Sequence, residues 1–138
     1  MIIFAIISKH HLMSQTISNL EPKLFWKYFE EITKIPRPSK KEEKIVAWVV
    51  EFAKQHQLKY KKDELGNVLI SKPASKGWEN RKSVILQSHL DMVCEKNSNV
   101  LHDFEKDPIQ AFVDGEWIKA KGTTLGGDDG VGIAAQLA

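Results

Sequence analysis

The sequence is short of cysteine, of long apolar runs and of any large excess of one charge. A single cysteine, Cys94, excludes an internal disulfide framework and fits a reducing cytosol. Its 20 basic residues against 18 acidic ones leave a net charge of +2, and the lysines are spread out, so there is no stripe for a nucleic acid. The apolar run Ile2-Ile3-Phe4-Ala5-Ile6-Ile7 is too short to cross a bilayer. It also lacks the basic leader and small-residue cleavage site of a signal peptide. Ordinary globular sequence begins at Met13, so residues 1–12 read as a non-native-looking extension and 13–138 as the domain. No internal repeat and no low-complexity tract is present. What remains is 42% hydrophobic and 28% charged, the composition of a soluble globular chain long enough to bury one core. Neither a nucleic acid nor a membrane is an expected partner.

Pro22 sits at the start of a helical pattern in which Phe25, Tyr28, Phe29 and Ile32 fall at i, i+3, i+4 and i+7. Ile35-Pro36-Arg37-Pro38 stops that helix. Ser39 with Glu42 reads as a capping box for a second helix, buried through Ile45, Trp48, Val49, Phe52 and Ala53. His56 near its end is a dipole-compatible surface residue. Val68-Leu69-Ile70, after a turn at Leu65-Gly66-Asn67, reads as a strand, and Val84-Ile85-Leu86 as a second, buried one. Asp114-Gly115 between two alternating runs is a hairpin signal. Residues 131–138 form a helical pattern that stops without a C-terminal signal, as in a fragment cut mid-helix. Two helices, two strands, a hairpin and a helix make an α/β layered domain with a mixed sheet.

Chemistry concentrates in two stretches. In Ser88-His89-Leu90-Asp91-Met92-Val93, His89 and Asp91 lie two residues apart, so an extended backbone points both to one face. Alone, His89 is most simply a strand-end histidine hydrogen-bonded to a neighbour. Asp91 changes that balance, because a metal-bound imidazole commonly passes its other N–H to a carboxylate. In 123–132, Asp128 and Asp129 sit in a glycine-rich turn entering a helix. One of them could be a helix cap and the other a solvated first-turn acid. Adjacent carboxylates repel unless a cation lies between them. A phosphate cradle is the competing use of the glycines, but two carboxylates and the lack of a Gly-Lys-Ser/Thr ending oppose it. The two stretches thus read as half of a divalent metal site, with zinc, manganese or cobalt suited to His and Asp donors. His102, Asp103 and Glu95 are weaker ligand candidates in a polar loop, and Cys94 reads as a small buried residue with no base beside it.

These stretches, with Ile35-Pro36-Arg37-Pro38-Ser39, Leu65-Gly66-Asn67 and the run from His102-Asp103-Phe104 to Asp114-Gly115-Glu116-Trp117, resemble the N-terminal part of aminoacyl-histidine dipeptidases. Those are cytosolic relatives of the di-zinc aminoacylases, carboxypeptidases and peptidase T. The resemblance runs from about Leu20 to Ala138 and implies a three-layer αβα sandwich with a mixed sheet, incomplete here. It implies that His89 binds one metal, that Asp128 bridges two, and that Asp91 is the catalytic-site aspartate orienting the histidine. It also implies a cis peptide after the bridging Asp128, although Gly127 replaces an alanine common in relatives. In the family, water held between the metals attacks the scissile carbonyl and a glutamate of a Glu-Glu pair is the base. That pair, further ligands and a lid or dimerisation domain have no counterpart here. The parent activity implied is therefore zinc-dependent hydrolysis of Xaa-His dipeptides by a cytoplasmic enzyme, with a homodimer the expected state of the parent and this chain inactive alone. A tripeptidase or another di-zinc exopeptidase is the nearest alternative, and a truncated binding or regulatory module is the rival from another class.

Overall fold

The computed structural model describes residues 16–138; the apolar run at Ile2 to Ile7 and the boundary at Met13 lie outside them. The chain is mixed α/β. Helix α1 (Lys23–Thr33) follows a single 3-10 turn at Ile17–Asn19, and α2 (Glu43–Gln55) follows α1. Strands β1 (Lys59–Lys62) and β2 (Val68–Ser71) form one antiparallel pair, and β3 (Ala111–Asp114) and β4 (Trp117–Ala120) form another. Helix α3 (Gly127–Leu137) closes the chain. The three layers and single mixed sheet expected from the sequence are not formed among the described residues, where the two sheets have two strands each.

The helical stripes behave as their spacing dictates. Tyr28, Phe29 and Ile32 of α1 and Ile45, Val49, Phe52 and Ala53 of α2 are buried, with Phe25 and Trp48 packed partly against them. Ile133 and Ala134 bring α3 into the same cluster. The Tyr28 and Phe52 rings meet edge to face at 5.4 Å, which ties α1 to α2. Burial of each such aliphatic or aromatic side chain stabilises the fold by about 1.5–3 kcal/mol relative to leaving it exposed. Pro22 stands just ahead of α1, its carbonyl accepting from Trp26 N–H at 3.2 Å.

The hairpin at Asp114–Gly115 is present, in the register Ala111↔Ala120 to Asp114↔Trp117. Two other expectations are corrected. The buried strand at Val84-Ile85-Leu86 does not form: these residues are 78, 84 and 65% exposed and belong to no strand. A strand's backbone needs a partner for its ladder, and no described strand runs beside this segment. The partner of β2 is instead the lysine-rich β1, which apolar periodicity could not reveal because every β1 residue is exposed. The capping box is also absent. Glu42, not Ser39, precedes α2, and its carboxylate accepts from Lys40 N–H at 2.6 Å.

No described helix is long and apolar enough to cross a membrane.

Candidate metal centre

Residues 88–94 are held at one point rather than along a ladder. Met92, 4% exposed, donates its N–H to the Arg37 carbonyl at 3.0 Å, and Pro38 and Met92 form a lone parallel bridge. Burying Met92 fixes the backbone just after Asp91, and the two-residue alternation then sets His89 and Asp91 on the same side. His89 Nδ1 lies 3.0 Å from Asp91 Oδ1.

The glycine-rich turn is shaped by its two acids separately. Within α3, Asp128 and Asp129 have non-helical backbone angles, so the regular helix begins after them. Asp129 Oδ1 accepts from Gly132 N–H at 3.1 Å, a capping contact. A Cβ at Gly132 would lie only 2.2 Å from that oxygen, which is why the position has no side chain. Asp128 makes no such contact. Its side chain is 95% exposed and its Oδ1 lies 2.9 Å from His89 Nε2. The Asp128–Asp129 peptide is cis, as the resemblance implied.

Asp91, His89 and Asp128 therefore form a line: a carboxylate against each nitrogen of one imidazole. The hydrogen bond to Asp128, and then those to Asp91, raise the His89 pKa against the opposing effect of partial burial. Ser39 Oγ donates to Asp91 Oδ2, and this bond, with the His89 contact after it, lowers the Asp91 pKa. Asp91 is thus an ionised acceptor that holds Nδ1 protonated and leaves Nε2 as the nitrogen aimed at Asp128. The 2.9 Å separation of Nε2 and Asp128 Oδ1 is a hydrogen-bond distance.

The fit to a metal is partial. Nitrogen and carboxylate donors converge, with the second imidazole nitrogen already engaged from behind. Yet no group of three or more His, Cys, Asp or Glu able to hold a metal occurs among the described residues. Among the loop candidates Asp103 has its carboxylate engaged elsewhere, whereas His102 Nε2 is buried with no hydrogen-bond partner among the described residues. The His102 ring packs against Phe104 at 4.4 Å, Asp103 caps its own turn through Glu105 N–H at 3.0 Å and Lys106 at 2.8 Å, and Glu95 bonds to Thr124 through its main chain. Cys94 is half-buried and its thiol pKa is raised by that burial, the opposite of an activated nucleophile. Clefts of about 440 and 190 Å³ are lined by other residues, and the His89 and Asp128 side chains are 48 and 95% exposed.

Sequence reasoning missed Arg37 and Ser39 as parts of this site. Arg37 is 1% exposed and bonds the carbonyls of Leu90, Asp91 and Gly126. The available signal was a charged residue between two prolines, read as a helix stop and as one stretch of the resemblance.

No protein-family model matches the chain. Over 122 residues it is 52% identical to the cytosol non-specific dipeptidase of Escherichia coli strain K12, a match covering 88% of this chain and 25% of that protein. The chain is homologous to one quarter of a dipeptidase. A crystal structure of aminoacylhistidine dipeptidase from Vibrio alginolyticus superposes with a TM-score of 0.86 at 50% identity, again over 88% of this chain and 25% of that one. Both likenesses cover 88% of this chain and a quarter of the relative.

Proposed function

We propose that this chain carries part of the metal centre of a cytoplasmic zinc dipeptidase that cleaves Xaa-His dipeptides, on what in the whole enzyme is a three-layer αβα domain. Residues 16–138, the described part of the chain, supply a portion of that domain. The observation that carries the reading is the line Asp91–His89–Asp128, with contacts of 3.0 and 2.9 Å, in a chain half identical to a dipeptidase.

His89 offers Nε2 as one donor, and Asp128 offers a carboxylate with a free oxygen for a second cation. Asp91 orients the imidazole and keeps its Nδ1 proton in place. Bound zinc ions supply Lewis-acid polarisation of the peptide carbonyl and a water made acidic enough to attack near neutral pH. No group of three or more metal-ligating side chains gathers among the described residues, so the isolated chain should be inactive and bind zinc weakly.

A chimera tests this. Residues 16–138 replace the matching quarter of the Escherichia coli dipeptidase, and hydrolysis of a Xaa-His dipeptide is followed with zinc present. Activity is expected in the chimera and its loss with His89→Ala or Asp128→Ala. A folded chimera whose turnover survives Asp128→Ala sinks the assignment.

The exposed run Val84-Ile85-Leu86 favours a second reading, a module that binds another polypeptide. Concentration-dependent mass in solution, with no zinc uptake, would favour it over the first.

A further inference from the structure

Arg37 lies between α1 and α2, far in sequence from both site stretches, yet its side chain touches both. Nη1 donates to the Leu90 and Asp91 carbonyls, each at 3.0 Å, and Nη2 donates to the Gly126 carbonyl at 2.6 Å. Leu90 is the residue after His89, and Gly126 is two before Asp128. The Arg37 carbonyl also accepts from Met92 N–H, so the same residue grips the 90–92 backbone twice.

This is a costly way to join two loops. A buried cation loses its hydration, at several kcal/mol, and carbonyl dipoles return only part of it. Burial is the largest influence on this guanidinium and lowers its pKa, while Nε has no hydrogen-bond partner among the described residues. An apolar side chain would fill the space with less desolvation. What only the planar fork adds is a fixed distance between two backbones, which the single point charge of lysine cannot reproduce.

The turn is built around that fork. A Cβ at Gly126 would lie 2.6 Å from Arg37 Nη2, and one at Gly130 would lie 2.8 Å from it and 3.4 Å from the Phe29 ring. Gly126 also has a φ of +71°, which alone favours glycine. Gly130 has no such φ, so space is the only reason for glycine there. Gly130, and Gly126 in part, thus leave room for an arginine from elsewhere in the chain.

We propose that Arg37 is the positioning residue that sets the spacing of His89 and Asp128, and that Gly130 is the clearance its guanidinium requires. The consequence for metal binding rests on the function proposed above; the geometric part does not.

The test uses the full chain and its Arg37→Met, Arg37→Lys and Gly130→Ala variants. Zinc affinity is measured by chelator competition, the His89 ring nitrogen shifts by NMR through the ring C–H protons, and folding by thermal unfolding. Arg37→Met should lose tenfold or more in zinc affinity and move the ring shifts toward those of free imidazole, as disruption of a ligand's supporting contacts does. Arg37→Lys should recover only part of both. Gly130→Ala should reproduce the defect, and adding it to Arg37→Met should cost no further affinity. Wild-type ring shifts in a folded Arg37→Met variant, or additive losses in the double variant, overturn the proposal. If the unmodified chain takes up too little zinc to measure, the ring shifts alone decide the positioning role, and the chimera decides the metal reading. If Arg37→Met does not unfold cooperatively, Gly130→Ala and Arg37→Lys decide it by the same readouts.

Discussion

The α1–α2 layer and the segment from 81 to 107 both contain apolar runs, yet only the first buries them. Ile32 and Ile45 are fully buried, whereas Ile85 is 84% exposed and Leu101 entirely so. The difference lies in how each kind of element is completed. A helix satisfies its own backbone and needs a partner only for one stripe, which the neighbouring helix supplies within the same stretch of chain. A strand satisfies nothing alone. Segment 81–107 is therefore held by isolated contacts, from Arg37 to residues 90–92 and from Gly122 and Thr124 to Asn97 and Glu95, and the His89 and Asp91 half of the candidate site sits on that sparsely tied part.

The largest effect expected from this contrast is in the core. Ile32→Ala should lower stability by about 2–5 kcal/mol in chemical denaturation, because no neighbour can close the space fully. A loss under ~1 kcal/mol would mean that the helical layer is not the anchor of the fold. Next in size, Asp91→Asn should weaken zinc binding about 10–100-fold while leaving the unfolding midpoint nearly unchanged, as the asparagine keeps the shape but cannot hold the Nδ1 proton as a carboxylate does. An unfolding midpoint that drops with the affinity would instead make Asp91 a structural residue.

Smaller still is the effect at Cys94. Burial raises its pKa, so the thiolate should appear only above the ordinary thiol range, and alkylation at pH 8 should be slower than for a free thiol and climb as pH rises further. A rate matching that of a small free thiol across this range would show the segment open at Cys94. Smallest is Ile85→Thr, expected to change stability by no more than about 0.5 kcal/mol, since its side chain already faces solvent. A loss near that of Ile32→Ala would erase the contrast between the two regions.

Legibility followed the range of the forces involved. The stripes of α1 and α2 and the hairpin at Asp114–Gly115 were readable because i, i+3, i+4 spacing and a turn dipeptide are local. Val84-Ile85-Leu86 misled because a buried run and an unpaired one look alike without knowing what lies beside them. Ser39 misled for a related reason: its hydroxyl could cap a helix or meet Asp91, 52 residues away, and the distant carboxylate took it.

By itself, the sequence determined that His89 and Asp91 share a face, that two acids enter a helix through glycines, and which helical faces are apolar, since each follows from backbone periodicity. Tertiary structure alone decided that Asp128 meets His89 while Asp129 turns inward to cap its helix, and that Arg37 ties both stretches together. Those choices depend on hydrogen bonds between residues tens of positions apart, whose partners only burial and chain path can select.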